Sequence, residues 1–93
     1  MAVLVIGEVS GGDAAMDNRV QQEIGVPSTP AAGAIARFAG PTDGGYQVIT
    51  VWESEDALQT FWRERLLPAF KRLGISPPTP RVSQLDNYRI APR

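Results

Sequence analysis

The chain has 93 residues, of which 43% are hydrophobic and 20% are charged, and its formal net charge is −1. These values predict one folded domain spanning residues 1–93 and exclude a mostly disordered chain. Nine basic residues are balanced by ten acidic ones. The strong positive charge that draws proteins to phosphate backbones is therefore missing, and we expect no nucleic-acid partner.

The sequence contains neither cysteine nor histidine. This excludes disulfides, thiol nucleophiles, the usual haem ligand and the commonest general base. Any chemistry must come from carboxylates, Tyr, Trp, Arg, Asn or the substrate, and we expect no metal and no organic cofactor. No secretory-signal pattern precedes the first strand, and no run approaches the ~20 apolar residues of a membrane span. We therefore predict a cytoplasmic protein without membrane contact.

The first third of the chain predicts a strand, a helix and a loop. The run Val3–Val9 indicates a strand buried on both faces. Asp13 is a good N-cap and Gly25 a good stop for a helix between them. Its apolar stripe consists of Met16, Val20 and Ile24. The segment Gly25–Gly33 carries two prolines and is predicted as a loop.

A hairpin follows this loop. We expect its strands at Ala34–Ala39 and Tyr46–Glu53, joined by a turn over Gly40–Gly45, in which Asp43-Gly44 is the strongest turn signal. The second strand has the highest β-propensity in the chain.

The last third predicts a second helix and a final strand. Ser54 is the expected N-cap and Gly74 the expected end of the helix. Pro68 lacks the amide that the helix ladder needs, so we expect a kink or a break into two pieces near Leu67. A proline-rich connector then leads to a strand over Arg81–Ile90.

This order of elements predicts an α+β, ferredoxin-like βαββαβ fold. Right-handed crossovers place both helices on one face of a four-stranded antiparallel sheet. The other face also carries aliphatic side chains, such as Leu4, Ile6 and Ile49. Because a bare apolar face of this kind usually marks an interface, we predict a homodimer that forms through the open sheet face.

The sequence resembles the dimeric α/β-barrel superfamily, and within it small proteins related to the antibiotic biosynthesis monooxygenase domain. The resemblance rests on the hairpin turn Gly40–Tyr46, the run Val51–Glu55 at the strand-to-helix junction, and the break at Leu67-Pro68. It implies a ligand space between the sheet and the helices. Trp52 matches the strand tryptophan of the superfamily and should face that space.

The resemblance also suggests how individual residues act. Substrate-binding candidates are Trp52, Trp62 and Phe61, the last standing where monooxygenase-type relatives often have a histidine. Arg37 and Tyr46 are the catalytic candidates, because either could stabilise a developing phenolate or enolate. The haem-degrading activity of some members is set aside, since it needs an axial histidine.

Three functions stay open at this point. The first is a cofactor-independent enzyme, of monooxygenase, cyclase or isomerase type, that acts on a small aromatic or polyketide-like molecule. The second is a binding module that holds such a ligand without catalysis. The third is a structural homodimer, in which Trp52 and Trp62 are simply core residues. A cavity of several hundred Å³ would favour a ligand, and a filled core would favour the structural alternative.

Overall fold

A computed structural model describes residues 1–25 and 31–91. Its antiparallel sheet has four strands in the order β2-β3-β1-β4, and the helices pack on one face of it. This is the predicted α+β, ferredoxin-like fold. The strands are β1 (Val3–Ser10), β2 (Ala34–Thr42), β3 (Gly45–Trp52) and β4 (Arg81–Gln84). The helices are α1 (Ala14–Ile24), α2 (Glu55–Phe61) and α3 (Leu67–Leu73), with a π-helical segment, Trp62–Leu66, between the last two.

The predicted caps of α1 are confirmed. The Asp13 carboxylate accepts a hydrogen bond of 2.8 Å from the backbone N–H of Met16. Gly25 ends the helix in the left-handed conformation, at φ 84°, which costs a residue without Cβ nothing in steric terms. Val20 and Ile24 are buried, whereas Met16 is only half-buried. Most of the loop predicted at Gly25–Gly33 lies outside the described residues.

In the central strand β1, the buried side chains lie on one face only. Val3 and Val5 point toward the helices and are 3% and 4% exposed. Leu4 and Ile6, on the open face, are half-buried. The prediction of a strand buried on both faces is therefore wrong for a single chain, because the helices cover only one side of the sheet.

The hairpin is longer and tighter than predicted. Strand β2 continues through Gly40 and Pro41 to Thr42, so that only Asp43-Gly44 forms the turn. Proline is tolerated here because β2 is an edge strand of the sheet. Gly45 begins β3, where a Cβ atom would lie 2.1 Å from the carbonyl oxygen of Val9. Only glycine allows this close approach of β3 to β1.

The second helical region follows the prediction at both ends and adds a feature in the middle. Ser54 Oγ accepts a hydrogen bond of 3.1 Å from the Ala57 N–H, and Gly74 ends α3 at φ 68°. The predicted break near Leu67 takes the form of the π-helical segment, in which the Leu67 N–H bonds to the Trp62 carbonyl. This wider turn directly precedes Pro68, whose ring would crowd the carbonyl of residue 64 in a regular α-helix.

The final strand is shorter than predicted. It pairs with β1 only from Arg81 to Gln84, and the Leu85 N–H adds one hydrogen bond of 2.9 Å to the Ala2 carbonyl. The chain bends at Asp86, where Asp86-Asn87 favours a turn over a strand. The expected extension to Ile90 is wrong for this reason.

Two clusters of buried side chains hold the layers together, and Phe61 packs against both of them. One cluster joins the sheet to α2; the other joins α1 to α3. Their members are Val3, Val5, Trp52 and Leu58 in the first, and Val20, Ile24, Ala69 and Phe70 in the second. Within the described residues, no helix has the length and apolar character needed to cross a bilayer.

Candidate functional site

A cavity of about 360 Å³ lies between the helix-bearing face of the sheet and the helices. Its walls are mostly apolar. Strand side chains Val5, Val9 and Val48 form its floor, and the aromatic residues Trp52, Phe61 and Trp62 form one wall. A volume of this size can hold a small organic molecule.

The aromatic wall is held in place by specific contacts. Trp52 is buried, with 3% of its surface exposed, and its indole Nε1–H donates a hydrogen bond of 2.9 Å to Thr50 Oγ1. The rings of Trp52 and Phe61 pack with their centroids 5.0 Å apart and their planes tilted by 39°, a favourable aromatic geometry. Since the Trp52 N–H is already used, this residue offers a ligand an apolar surface.

The π-helical segment supplies much of the helix side of the cavity. Trp62 and Leu66, its first and last residues, both line the cavity, as does the adjacent Phe61. Arg65 anchors this segment to α1, because its Nη2 donates a hydrogen bond of 3.0 Å to the Ile24 carbonyl and its guanidinium lies over the Phe61 ring. A cation is favoured at that helix C-terminus by the dipole.

The proline-rich connector closes another side of the cavity. Pro78 and Pro80 are among the lining residues. The ring of Pro78 packs on Gly7 of β1, where a Cβ atom would lie 3.3 Å from Pro78 Cγ. The small residue in the strand therefore lets the connector lie close to the sheet.

One ion pair lies at the edge of the cavity. Arg37 Nη2 on the edge strand β2 and Asp17 Oδ1 on α1 are 2.5 Å apart. The Asp17 side chain is 13% exposed and that of Arg37 is 35% exposed. The pair joins the open edge of the sheet to the helix above it, and such a charge-assisted hydrogen bond is stronger than a neutral one.

The polar groups of the cavity are gathered near this pair. Thr50 is the cross-strand partner of Arg37, and Gln21 lies one helical turn after Asp17. We call these four residues, Asp17, Gln21, Arg37 and Thr50, the polar corner. Every other described lining residue is apolar, glycine or proline. The cavity thus combines an aromatic wall with one polar corner.

The structure brings together four of the five site residues predicted from the sequence. Arg37, Trp52, Phe61 and Trp62 all line the cavity. Tyr46 is half-buried on the same face of the sheet but is not among the lining residues. It pairs with Val9 and Pro41 at the hairpin end of its strand, away from Trp52 at the other end. The roles assigned to all five residues stay predictions.

Sequence reasoning missed three residues of the polar corner as parts of a site: Gln21, Thr50 and, most importantly, the charged Asp17. Of the ion pair, the sequence predicts only Arg37 as a site residue. A signal was present, because Asp17 precedes the buried Val20 and Ile24 by three and seven residues. This spacing puts a carboxylate on the apolar face of α1.

A second concavity, of about 570 Å³, is more open to solvent and shares Ala31 and Phe61 with the first. It is bordered by Glu53, Glu64 and Arg65. It lacks the tryptophans, so the first cavity is the better candidate for a ligand. Across residues 1–25 and 31–91, no cluster of acidic side chains has the arrangement of a metal site.

No family model matches the chain, and no curated protein is significantly similar to it in sequence. Several solved structures, however, are similar to it in fold. The solved structure of Rv0793 from Mycobacterium tuberculosis has a TM-score of 0.70 at 19% identity, and the match covers 96% of this chain and 100% of that one. SnoaB, a cofactor-independent oxygenase from Streptomyces nogalater, has a TM-score of 0.60 at 18% identity, covering 99% and 97%. A proposed antibiotic biosynthesis monooxygenase from Chloroflexus aurantiacus has a TM-score of 0.64 at 12% identity, covering 98% and 100%.

These likenesses extend over nearly the whole of each chain. They confirm the resemblance to antibiotic biosynthesis monooxygenase-like proteins at the level of the fold. Since identities of 12–19% carry no assignment of substrate or reaction, the function must be argued from the cavity itself.

Proposed function

We propose that the protein binds a small, flat and mostly apolar molecule in the cavity and converts it without a metal or organic cofactor, by oxygenation, ring closure or isomerisation. The observation that carries this proposal is that one cavity is lined both by an aromatic wall, which includes Trp52, and by the guanidinium group of Arg37. The description of SnoaB as a cofactor-independent oxygenase makes oxygenation the first reaction to test.

The cavity favours a ligand over a purely structural role. A structural homodimer would fill the space between sheet and helices with side chains, because protein interiors are close-packed. Here about 360 Å³ is left open beside Trp52, Phe61 and Trp62. Aromatic side chains around an open space of this kind are suited to hold a planar ring by stacking and edge contacts.

Arg37 would supply the electrostatic part of the chemistry. Although Arg37 is paired with Asp17, its remaining N–H groups can donate a hydrogen bond to a ketone or phenol oxygen and stabilise the partial negative charge that develops on it in the transition state toward an enolate or phenolate. Oxygenation without a cofactor then requires an electron-rich substrate that reacts with O₂ itself. Tyr46 stays a second candidate for this role, although it lies outside the lining of the cavity.

Oxygen uptake with anthrone as the probe tests the catalytic proposal. One O₂ converts anthrone to anthraquinone and water, through the enol form of the ketone. We expect the protein to accelerate this reaction over buffer, and Arg37→Gln to lower the rate roughly 100-fold, as removal of an oxyanion-stabilising donor commonly does. Arg19→Gln changes an exposed arginine on α1 and serves as the matched control, which should keep full activity.

Equal rates for the protein and for buffer would contradict the catalytic proposal. If the protein nevertheless bound planar aromatic molecules, it would be a binding module, which is the alternative that the same cavity supports.

We further propose that a second copy of the chain covers the open face of the sheet. Phe38 is 56% exposed there, and its cross-strand partner Ile49 is half-buried. Leu4 and Ile6 extend the same apolar surface, while the nearby Val51 is already buried within one chain. Such a surface is more typical of an interface than of a free monomer. A cytoplasmic location stays a prediction from the sequence.

A further inference from the structure

The cavity contains two formal charges among its described lining residues, and they neutralise each other. Asp17 and Arg37 carry opposite charges and are joined at 2.5 Å. The other members of the polar corner, Gln21 and Thr50, are uncharged. A ligand that enters the cavity therefore meets a dipole with no net charge, although Arg37 alone would suggest a site for anions.

We propose that the polar corner selects an uncharged hydroxyl group on its ligand and disfavours a carboxylate on the same ring system. This inference rests on the proposed function, because it concerns the polar end of the molecule that the cavity would hold. It assigns Asp17, which the sequence did not place in a site, as a specificity-determining residue.

The hydrogen-bonding capacity of the pair fits a hydroxyl group. A guanidinium has five N–H donors and a carboxylate has two acceptor oxygens, so the single contact between Arg37 Nη2 and Asp17 Oδ1 leaves capacity on both sides. A ligand hydroxyl can accept from Arg37 and donate to Asp17 at the same time. Both new hydrogen bonds would involve a charged protein group and would be stronger than neutral ones.

A ligand carboxylate fits the same place poorly. It has no proton to donate to Asp17, and it brings a second negative charge close to a carboxylate that is largely shielded from water. To bind Arg37 it must either accept this repulsion or displace Asp17 from its partner. Exchange of Asp17 for an asparagine of nearly the same shape removes the repulsion and leaves the Arg37 charge uncompensated.

Calorimetric titration with 2-naphthol and 2-naphthoate at neutral pH tests the inference, since the two probes share one ring system and differ in charge. We expect the unmodified protein to bind 2-naphthol at least about tenfold more tightly, which is the scale of one charge-assisted hydrogen bond. In Asp17→Asn, 2-naphthoate should gain about tenfold in affinity. Asp86→Asn, an exposed change outside the cavity, should leave both affinities unaltered.

The outcomes separate the two proposals. A preference of the unmodified protein for 2-naphthoate, or an unchanged ratio of affinities in a folded Asp17→Asn variant, would overturn the inference while the cavity remained a ligand site. Failure of the unmodified protein to bind either probe would contradict the proposed function itself. A preference of the unmodified protein for 2-naphthoate needs no variant to be seen, so the inference can be overturned even if Asp17→Asn does not fold.

Discussion

Single residues determine both the ends of the helices and the character of the cavity. Asp13, Ser54, Gly25 and Gly74 act through bonds or backbone angles within a few residues of themselves, which is why the sequence alone predicted all four. For Trp52, the resemblance to dimeric α/β-barrel proteins implied a place in the ligand space, and alternation along β3 puts it on the same face as Thr50.

The ion pair in the polar corner was not predictable in the same way. Asp17 and Arg37 are 20 positions apart in the sequence, and they meet only because α1 lies over the edge strand β2. Tyr46 illustrates the opposite case. Alternation along β3 places it on the helix-bearing face, but its distance along the strand from Trp52 keeps it out of the cavity lining. Face is set by local periodicity; proximity is set by tertiary packing.

At the scale of elements, the main feature beyond the prediction is the π-helical segment Trp62–Leu66. Its cause was visible in the sequence, since Pro68 cannot join a regular ladder. The sequence could not tell whether the chain would break, kink or widen there. Strand β2 likewise runs through Pro41, because only the sheet order reveals that β2 is an edge strand. Boundaries depended on such tertiary facts, whereas the order of elements did not.

Pro68→Ala tests the role that we assign to the π-helical segment. The restored N–H lets this region form the hydrogen bonds of a regular α-helix. Each residue turns an α-helix by about 100°, so loss of the extra residue in the π-helical turn would rotate the residues before the segment by about that angle relative to the residues after it. Because such a rotation would also move Ala69 and Phe70 of α3 out of the core, we expect the free energy of unfolding to fall by about 2 kcal/mol, measured by urea denaturation. We also expect weaker 2-naphthol binding, because Phe61, Trp62 and Leu66 would no longer all face the cavity.

Pro77→Ala is the matched control, since Pro77 is exposed in the connector and does not line the cavity. It should change neither affinity nor helix geometry. Unaltered 2-naphthol affinity and unaltered stability in Pro68→Ala would contradict the proposed role of the segment.

At the scale of the whole molecule, the sheet has two apolar faces with different uses. One face packs against the helices and borders the cavity. The other carries Phe38 and Ile49 at its surface.

We expect sedimentation equilibrium at micromolar concentration to give twice the mass of the 10.1 kDa chain, and Phe38→Lys to shift the equilibrium toward the monomer. A measured mass equal to that of one chain for the unmodified protein would contradict the proposed dimer.

The central claim is that the cavity between sheet and helices holds a planar aromatic ligand. The chain has two tryptophans, and both Trp52 and Trp62 line this cavity. The two indole N–H signals of the ¹⁵N-labelled protein therefore report directly on its contents, because a bound aromatic ring shifts the resonances of the groups beside it.

The decisive measurement is a 2-naphthol titration followed by ¹H–¹⁵N correlation spectra. We predict that both indole signals shift and saturate together with the backbone signals of Arg37 and Thr50. Indole signals that stay fixed while 2-naphthol is added, or shifts confined to the open face of the sheet, would contradict the claim.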